Sequence, residues 1–210
     1  MIFKERSLTF HEFAMNQSVP LSSIQDAVLE FMQDREDSAV FGAQAVNAYV
    51  DEPRMSQDVD ILTIDAEKLS EEIRSLLNDR FNIAVRVRSV ASGKGFRVYQ
   101  ISKPKNRHLV DVREVSQLPP CQRVERILVP TPPQLIGQKV ISMVSRSRTA
   151  KGMTDIADLR RLLLMFPELK TDHGAVEDAL RESGADEKVY QSWQELVAQE
   201  IEVEDDDAGY

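Results

Sequence analysis

Val40 to Leu62, VFGAQAVNAYVDEPRMSQDVDIL, reads as a strand, a glycine turn, a short helix, an extended link and a second strand. Apolar Ser38-Ala39-Val40-Phe41 meets Gly42, a helix follows from Ala43 to Val50, and Asp51-Glu52-Pro53 breaks it, proline disfavouring continuation. Strand side chains alternate between faces, so Asp58 and Asp60, separated by Val59, share one face. Two anions side by side repel. A divalent cation is the plainest compensation, and magnesium, held by one or two carboxylates plus phosphate oxygens, suits the pair. Gly42 opens a helix directly from a strand, which leaves backbone N–H groups where a phosphate can approach. Taken singly, an Asp-x-Asp also reads as a solvated outer face, and a glycine before a helix as turn chemistry.

Upstream, Pro20 opens a helix whose Leu21, Ile24, Val28, Leu29 and Met32 recur at helical spacing, with Ser18 or Ser22 as cap; Met1 to Val19 has no sustained period and reads as an arm. Downstream, Asp65 caps a helix to about Asp79. Phe81 to Val90 and Phe96 to Ile101 alternate around Ser92-Gly93-Lys94-Gly95 and predict a hairpin. In the next strand, Arg107 to Arg113, unbroken alternation sends Leu109, Asp111 and Arg113 one way and His108, Val110 and Val112 the other. Asp111 thereby becomes either a third site carboxylate or a salt-bridge partner for Arg113, and His108 reads as a partly buried structural histidine.

Pro119 to Pro133 is proline-rich and marks the passage between two subdomains. The expected division is 1–118, an arm, a helix and a mixed sheet; 119–201, a helical subdomain closing a cleft over the sheet; and 202–210, an acidic tail. Thr131-Pro132 starts a helix bearing Lys139, and a second helix, beyond Arg146 to Lys151, bears Asp155 and Asp158 three residues apart on one face. Two further helices, Asp172 to Ser183 and Asp186 to Ile201, flank Gly184.

The 210 residues carry a net charge of −9, with 42% hydrophobic and 29% charged side chains, the balance of an ordinary globular chain. That charge argues against a general nucleic-acid-coating protein. The average hides an asymmetry: Arg80 to Arg113 has nine Lys or Arg against one acid, while Glu200 to Asp207 has six acids and no base. The basic middle reads equally as a solvated sheet face or a binding surface. No apolar run approaches bilayer length and the first residues lack a secretory h-region, so a cytoplasmic location and no membrane partner are expected. One cysteine, Cys121, and three scattered histidines provide neither an internal disulfide nor zinc-ligand spacing.

Gly42-Ala43-Gln44-Ala45 followed by Arg54, Ser56, Asp58 and Asp60 resembles the nucleotidyltransferase superfamily related to DNA polymerase beta, and the long gap between Gly42 and Asp58 looks like its AbiEii-type toxin branch. Lys139, then Lys151, Asp155 and Asp158, match the Lys-x-x-x-Asp-x-x-Asp layout of that branch. The resemblance implies an α+β fold: a polymerase-beta-like core of mixed sheet and flanking helices with a helical C-terminal subdomain. It implies an enzyme moving an NMP group from an NTP to an RNA acceptor, tRNA included, or to a protein, with an antitoxin as partner. A nucleotide or RNA binder without turnover and a phosphotransferase acting on a partner protein are the alternatives. Under the resemblance Asp58, Asp60 and Asp111 hold Mg²⁺ or Mn²⁺ and, with Lys139 and Asp155, make the catalytic set. Gly42, Ala43, Arg54, Ser56, Lys139, Lys151 and Asp158 bind the nucleotide, Lys139 from a partly exposed position. Ala43 stands where many members have a second glycine or a serine.

Overall fold

The computed structural model describes residues 19–90 and 93–202; the expected N-terminal arm short of Val19, with Ser18, and Ser92 and the acidic tail beyond Glu202 lie outside the described residues. The chain divides into two units, one made of the residues up to Phe41 with Met55–Val129, the other of Gly42–Arg54 with the residues from Pro130 onward.

The first unit contains α1 (Leu21–Phe31), β1 (Ser38–Phe41), β2 (Val59–Thr63), α3 (Ala66–Phe81), β3 (Val85–Val90), β4 (Gly95–Gln100) and β5 (Arg107–Glu114), with α2 falling in the other unit. Its five strands are ordered β1-β2-β5-β4-β3. Only β2 and β5 run parallel; β1 with β2, β4 with β5 and β3 with β4 are antiparallel. The sheet is therefore mixed. Val59, Ile61, Val98, Val110 and Val112 are buried, as are Ile24 and Val28 of α1 and Leu69, Ile73 and Leu77 of α3. These apolar stripes form the core, and alternation leaves the other sheet face to polar residues. Asp65 caps α3 by accepting from the Lys68 N–H at 3.1 Å. The helix runs to Phe81, past the expected Asp79, because Asn82 takes the left-handed conformation (φ 50°) that ends it, and β3 starts only at Val85.

A hairpin of β6 (Cys121–Val124) and β7 (Ile127–Pro130) lies beyond the expected boundary at 118/119. Arg126 pairs with Asp34, Arg123 pairs with Glu36, and the Asp34 N–H donates to the Arg126 carbonyl, tying the hairpin to the α1–β1 turn. The first unit thus extends to Val129.

The second unit comprises α2 (Gly42–Asn47), α4 (Pro132–Ser145), α5 (Ala150–Met165), a 3-10 turn (Pro167–Leu169), α6 (Ala175–Glu182) and α7 (Glu187–Ala198). Leu135, Ile136 and Val140 of α4 are buried, and Gly137 brings that helix close to Ala179 and Leu180 of α6. Trp193 fills the α7 side of this core. Helix α2 stops at Asn47, short of the expected Val50. The Asn47 amide has another use: Nδ2 donates to the Arg54 carbonyl at 2.8 Å and Oδ1 accepts from the Arg54 N–H at 3.0 Å. Among the described residues no helix is long and apolar enough to cross a membrane.

Candidate active site

Strand β2 carries Asp60 between the fully buried Val59 and Ile61, so its carboxylate lies on the polar face of the sheet. Its register partner on β5 is Asp111, and partners on neighbouring strands, about 4.8 Å apart, point to the same side. The expected third acid is thereby adjacent to the second. Asp111 accepts from Arg97 Nε at 3.3 Å across β4, while the Arg113 guanidinium covers the Phe41 ring at 4.9 Å. Arg97, not Arg113, is the salt-bridge partner. Asp58 lies just before β2, where Ser56 Oγ donates to its backbone carbonyl at 2.8 Å and the Ser56 carbonyl accepts from Gln25 Nε2 at 2.9 Å. Ser56 therefore shapes the approach to the strand.

The alternation expected along β5 fails at Leu109. Val98 pairs with Val110 and Tyr99 with His108, so Leu109 is one residue too many, a β-bulge. Leu109 and Val110 are consecutive and both buried. His108 is shifted to the Asp111 side, contrary to the expected assignment, and its Nδ1 lies 3.1 Å from Asp58 Oδ2. Its Nε2 lies 3.2 Å from the Val110 carbonyl, and its ring is 5.0 Å from that of Tyr99.

Register also continues this face outward. Asp60 partners Asp111, Asp111 partners Arg97, and Arg97 partners Arg88, so one row runs from the carboxylates to the exposed edge strand. A second row links His108, Tyr99 and Arg86.

The second unit holds a different cluster. Asp158, fully buried, accepts two hydrogen bonds from Arg54, Nε at 2.6 Å and Nη2 at 2.8 Å, and one from Lys139 Nζ at 2.6 Å. Lys139 also reaches Asp155 at 3.3 Å, and Asp155 accepts from Arg146 Nη2 at 2.6 Å. Burial works to raise the Asp158 carboxyl, yet the hydrogen bond from Arg54 and the Lys139 charge hold it below the ordinary carboxylate range. Lys139 is only 6% exposed, so the expectation of a partly exposed lysine does not hold. Its ammonium is enclosed between two aspartates three residues apart on α5. Arg54 makes a two-pronged pair with Asp158. Lys151, in the first turn of α5, is exposed.

Local sequence explains how Arg146 reaches Asp155. Thr149 caps α5 by accepting from the Gly152 N–H at 3.2 Å, and a Cβ on Gly152 would fall 2.3 Å from the Arg146 carbonyl oxygen. Only glycine lets the helix start press on that backbone. Gly42 has the left-handed φ of 69° at the strand-to-helix turn, and Ala43 behind it is buried. Asn47 and Arg146 are not legible as site residues in the sequence, since a short amide-bearing helix end and one arginine in a basic run carry no spacing signal.

The donor set of the first unit consists of carboxylate oxygens, the ligand type of a hard divalent cation. Among the described residues no three His, Cys, Asp or Glu side chains form a metal-holding group. Magnesium does not require three, since one or two carboxylates complete its shell with water and substrate phosphate. Asp60 and Asp111, in register, fit that requirement.

The sequence profile of the family described as "Nucleotidyl transferase AbiEii toxin, Type IV TA system" matches residues 27–208. No curated protein matches the chain. Among solved structures, the Megavirus polyadenylate synthase is similar with a TM-score of 0.57 at 12% identity over 73% of this chain, which spans only 33% of that protein. JHP933 from Helicobacter pylori aligns over 91% of this chain and 90% of its own at 14% identity and a TM-score of 0.49. ANT(2")-Ia in complex with adenylyl-2"-tobramycin aligns over 84% of this chain and 100% of its own at 13% identity and a TM-score of 0.48. The structural likeness supports the α+β nucleotidyltransferase fold, and the profile covers most of the sequence: the chain belongs to the AbiEii nucleotidyl transferase toxin family of type IV toxin–antitoxin systems.

Proposed function

We propose that this enzyme transfers an NMP group from an NTP to a hydroxyl of an RNA acceptor, acting as the toxin partner of an antitoxin. The observation that carries the reading is the register of Asp60 with Asp111 on the polar sheet face, in a chain of this family. The acceptor oxygen attacks the α-phosphorus, the bond from that phosphorus to the bridging oxygen of the β-phosphate breaks, and pyrophosphate leaves. Asp111 takes the hydroxyl proton. Asp60 and Asp111, in register, would hold Mg²⁺ or Mn²⁺, which when bound supplies charge neutralisation at the attacking and leaving oxygens, with Asp58 just ahead of the same strand. The second unit by itself offers groups suited to phosphate oxygens, the N–H groups at Gly42 and Ala43 and the exposed Lys151 ammonium. Lys139, Asp155 and Asp158 act by holding Arg54 and Arg146, and Ser56 by shaping the Asp58 approach.

The basic rows support a polyanionic acceptor. Arg97 and Arg88 continue the line of Asp60 and Asp111, and Arg86 and Tyr99 lie beside it. Cationic side chains with an aromatic ring suit a phosphodiester strand, whose binding weakens with salt through counterion release. The test supplies α-labelled and γ-labelled NTPs with total RNA and total protein at low and moderate salt. α-Label entering RNA, and lost with Arg86→Glu, Arg88→Glu and Arg97→Glu, is the expected result. γ-Label in protein identifies a phosphotransferase, α-label only in protein a protein acceptor, and no transfer a binder.

A further inference from the structure

We propose that β3 is a docking edge for an extended acidic segment, and that its occupant is residues 201–204 of a second copy of the chain. The five-stranded sheet has two edge strands, β1 and β3. β1 is buried along its whole length, whereas no residue of β3 is buried and Arg86, Arg88 and Ser89 are exposed. Among the described residues no strand pairs with β3 on the side away from β4, so its outward N–H and C=O groups are a template for another strand. Charge decides which strand. Arg86 and Arg88 repel a second β3 and attract an acidic partner.

The two faces of β3 set the pattern such a partner must have. Val87 is in register with the fully buried Val98, so Val85 and Val87 continue the apolar face outward while Arg86 and Arg88 lie on the polar one. A fitting segment alternates apolar and acidic side chains with period two. Residues 201–204 read Ile-Glu-Val-Glu. In either strand direction, one register sets Val203 beside Val87 and both Glu202 and Glu204 beside the two arginines. Apolar pairs and opposite charges directly across a ladder are the units that stabilise it, and the added strand would cover the half-exposed Val85 and Val87. The inference is independent of the transfer reaction, since it needs neither NTP nor acceptor.

The experiment is sedimentation velocity of the full chain alone over a dilution series, where species heavier than the monomer are expected at high concentration and are lost on dilution. Arg86→Glu with Arg88→Glu, and separately Glu202→Arg with Glu204→Arg, are each expected to weaken association about tenfold or more with circular dichroism unchanged. All four substitutions together restore opposite charges and are expected to restore association. Exchanging two neighbours, Val203→Glu with Glu204→Val, keeps composition and charge but breaks the period of two, and is expected to weaken association as much as a charge reversal. Should the β3 variant fail to fold, the glutamate reversal and the exchange, which lie outside every helix and strand described, carry the test. A wild type that stays monomeric across the series overturns the proposal. So does association left unchanged by the β3 reversal or by the exchange, or not restored by the fourfold variant.

Discussion

Asp60 and Asp111 sit partly exposed on a sheet face, the second with one arginine contact at 3.3 Å, whereas Asp158 is fully buried and takes three hydrogen bonds of 2.6 to 2.8 Å from Arg54 and Lys139. The two environments assign opposite work to the same side chain. Carboxylates on the sheet lie partly exposed and side by side, at the cost of mutual repulsion. Carboxylates in the helical unit have exchanged water for guanidinium and ammonium partners, so their charge is spent on holding elements together. A buried pair is not a large net stabiliser against an apolar substitute, but breaking one is expensive.

The most severe way to break this contrast is Asp158→Ala, which leaves Lys139 buried beside a vacated site. It is expected to lower stability by about 3–5 kcal/mol, read by chemical denaturation, with loss of activity following from unfolding. Asp60→Asn is its counterpart on the sheet. There we expect transfer to fall about 100-fold or more, corresponding to several kcal/mol of transition-state stabilisation, while the denaturation midpoint stays near wild type or rises as repulsion is relieved. A loss of stability in Asp60→Asn comparable to that in Asp158→Ala would erase the distinction.

Gly152→Ala tests the framework of the second cluster without touching a charge. Its Cβ would meet the Arg146 carbonyl oxygen at 2.3 Å, and about 1–3 kcal/mol of destabilisation is expected despite alanine's better helix propensity. A neutral or stabilising outcome would show that the α4–α5 turn yields. The smallest effect is the acid limb of stability. Because the folded chain holds the Asp158 carboxyl below its ordinary 3.8, the fold binds fewer protons than the unfolded chain, so this contribution is complete above about pH 4 and lost as pH falls through the lower folded value. Denaturation midpoints collected down that limb should decline less steeply in Asp158→Asn than in wild type.

Strands β1 and β2 are legible in the sequence because their apolar residues and their neighbours, Asp37 and Gly42 for one and Asp58 and Asp65 for the other, mark both ends. The in-register pairing of Asp60 with Asp111 is only half legible. Spacing shows that Asp58 and Asp60 are close, but adjacency of β2 and β5 comes from the crossover that carries the chain through α3 and the β3–β4 hairpin. His108 is the reverse case. Strict period two sends it to the apolar side, and the extra residue that overrides the period leaves no mark in LVDV. The spacing of Lys139 to Asp155 and Asp158 is the same whether the three residues face a nucleotide or one another, so its burial between the two aspartates, which belongs to tertiary packing, is not legible in the sequence.

The sole tryptophan of the chain, Trp193, is 1% exposed in the core around α7, and its Nε1 has no hydrogen-bond partner among the described residues. An indole in that setting emits at short wavelength and is shielded from acrylamide, and it shifts to the red when the surrounding helices open. Tryptophan fluorescence, excited beyond the tyrosine absorption band, therefore reports on the helical unit and not on the sheet, whereas far-ultraviolet dichroism sees both. Superimposed melting curves from the two signals would mean that the units unfold as one cooperative body; separated curves would mean that the chain can lose one half of its architecture while keeping the other.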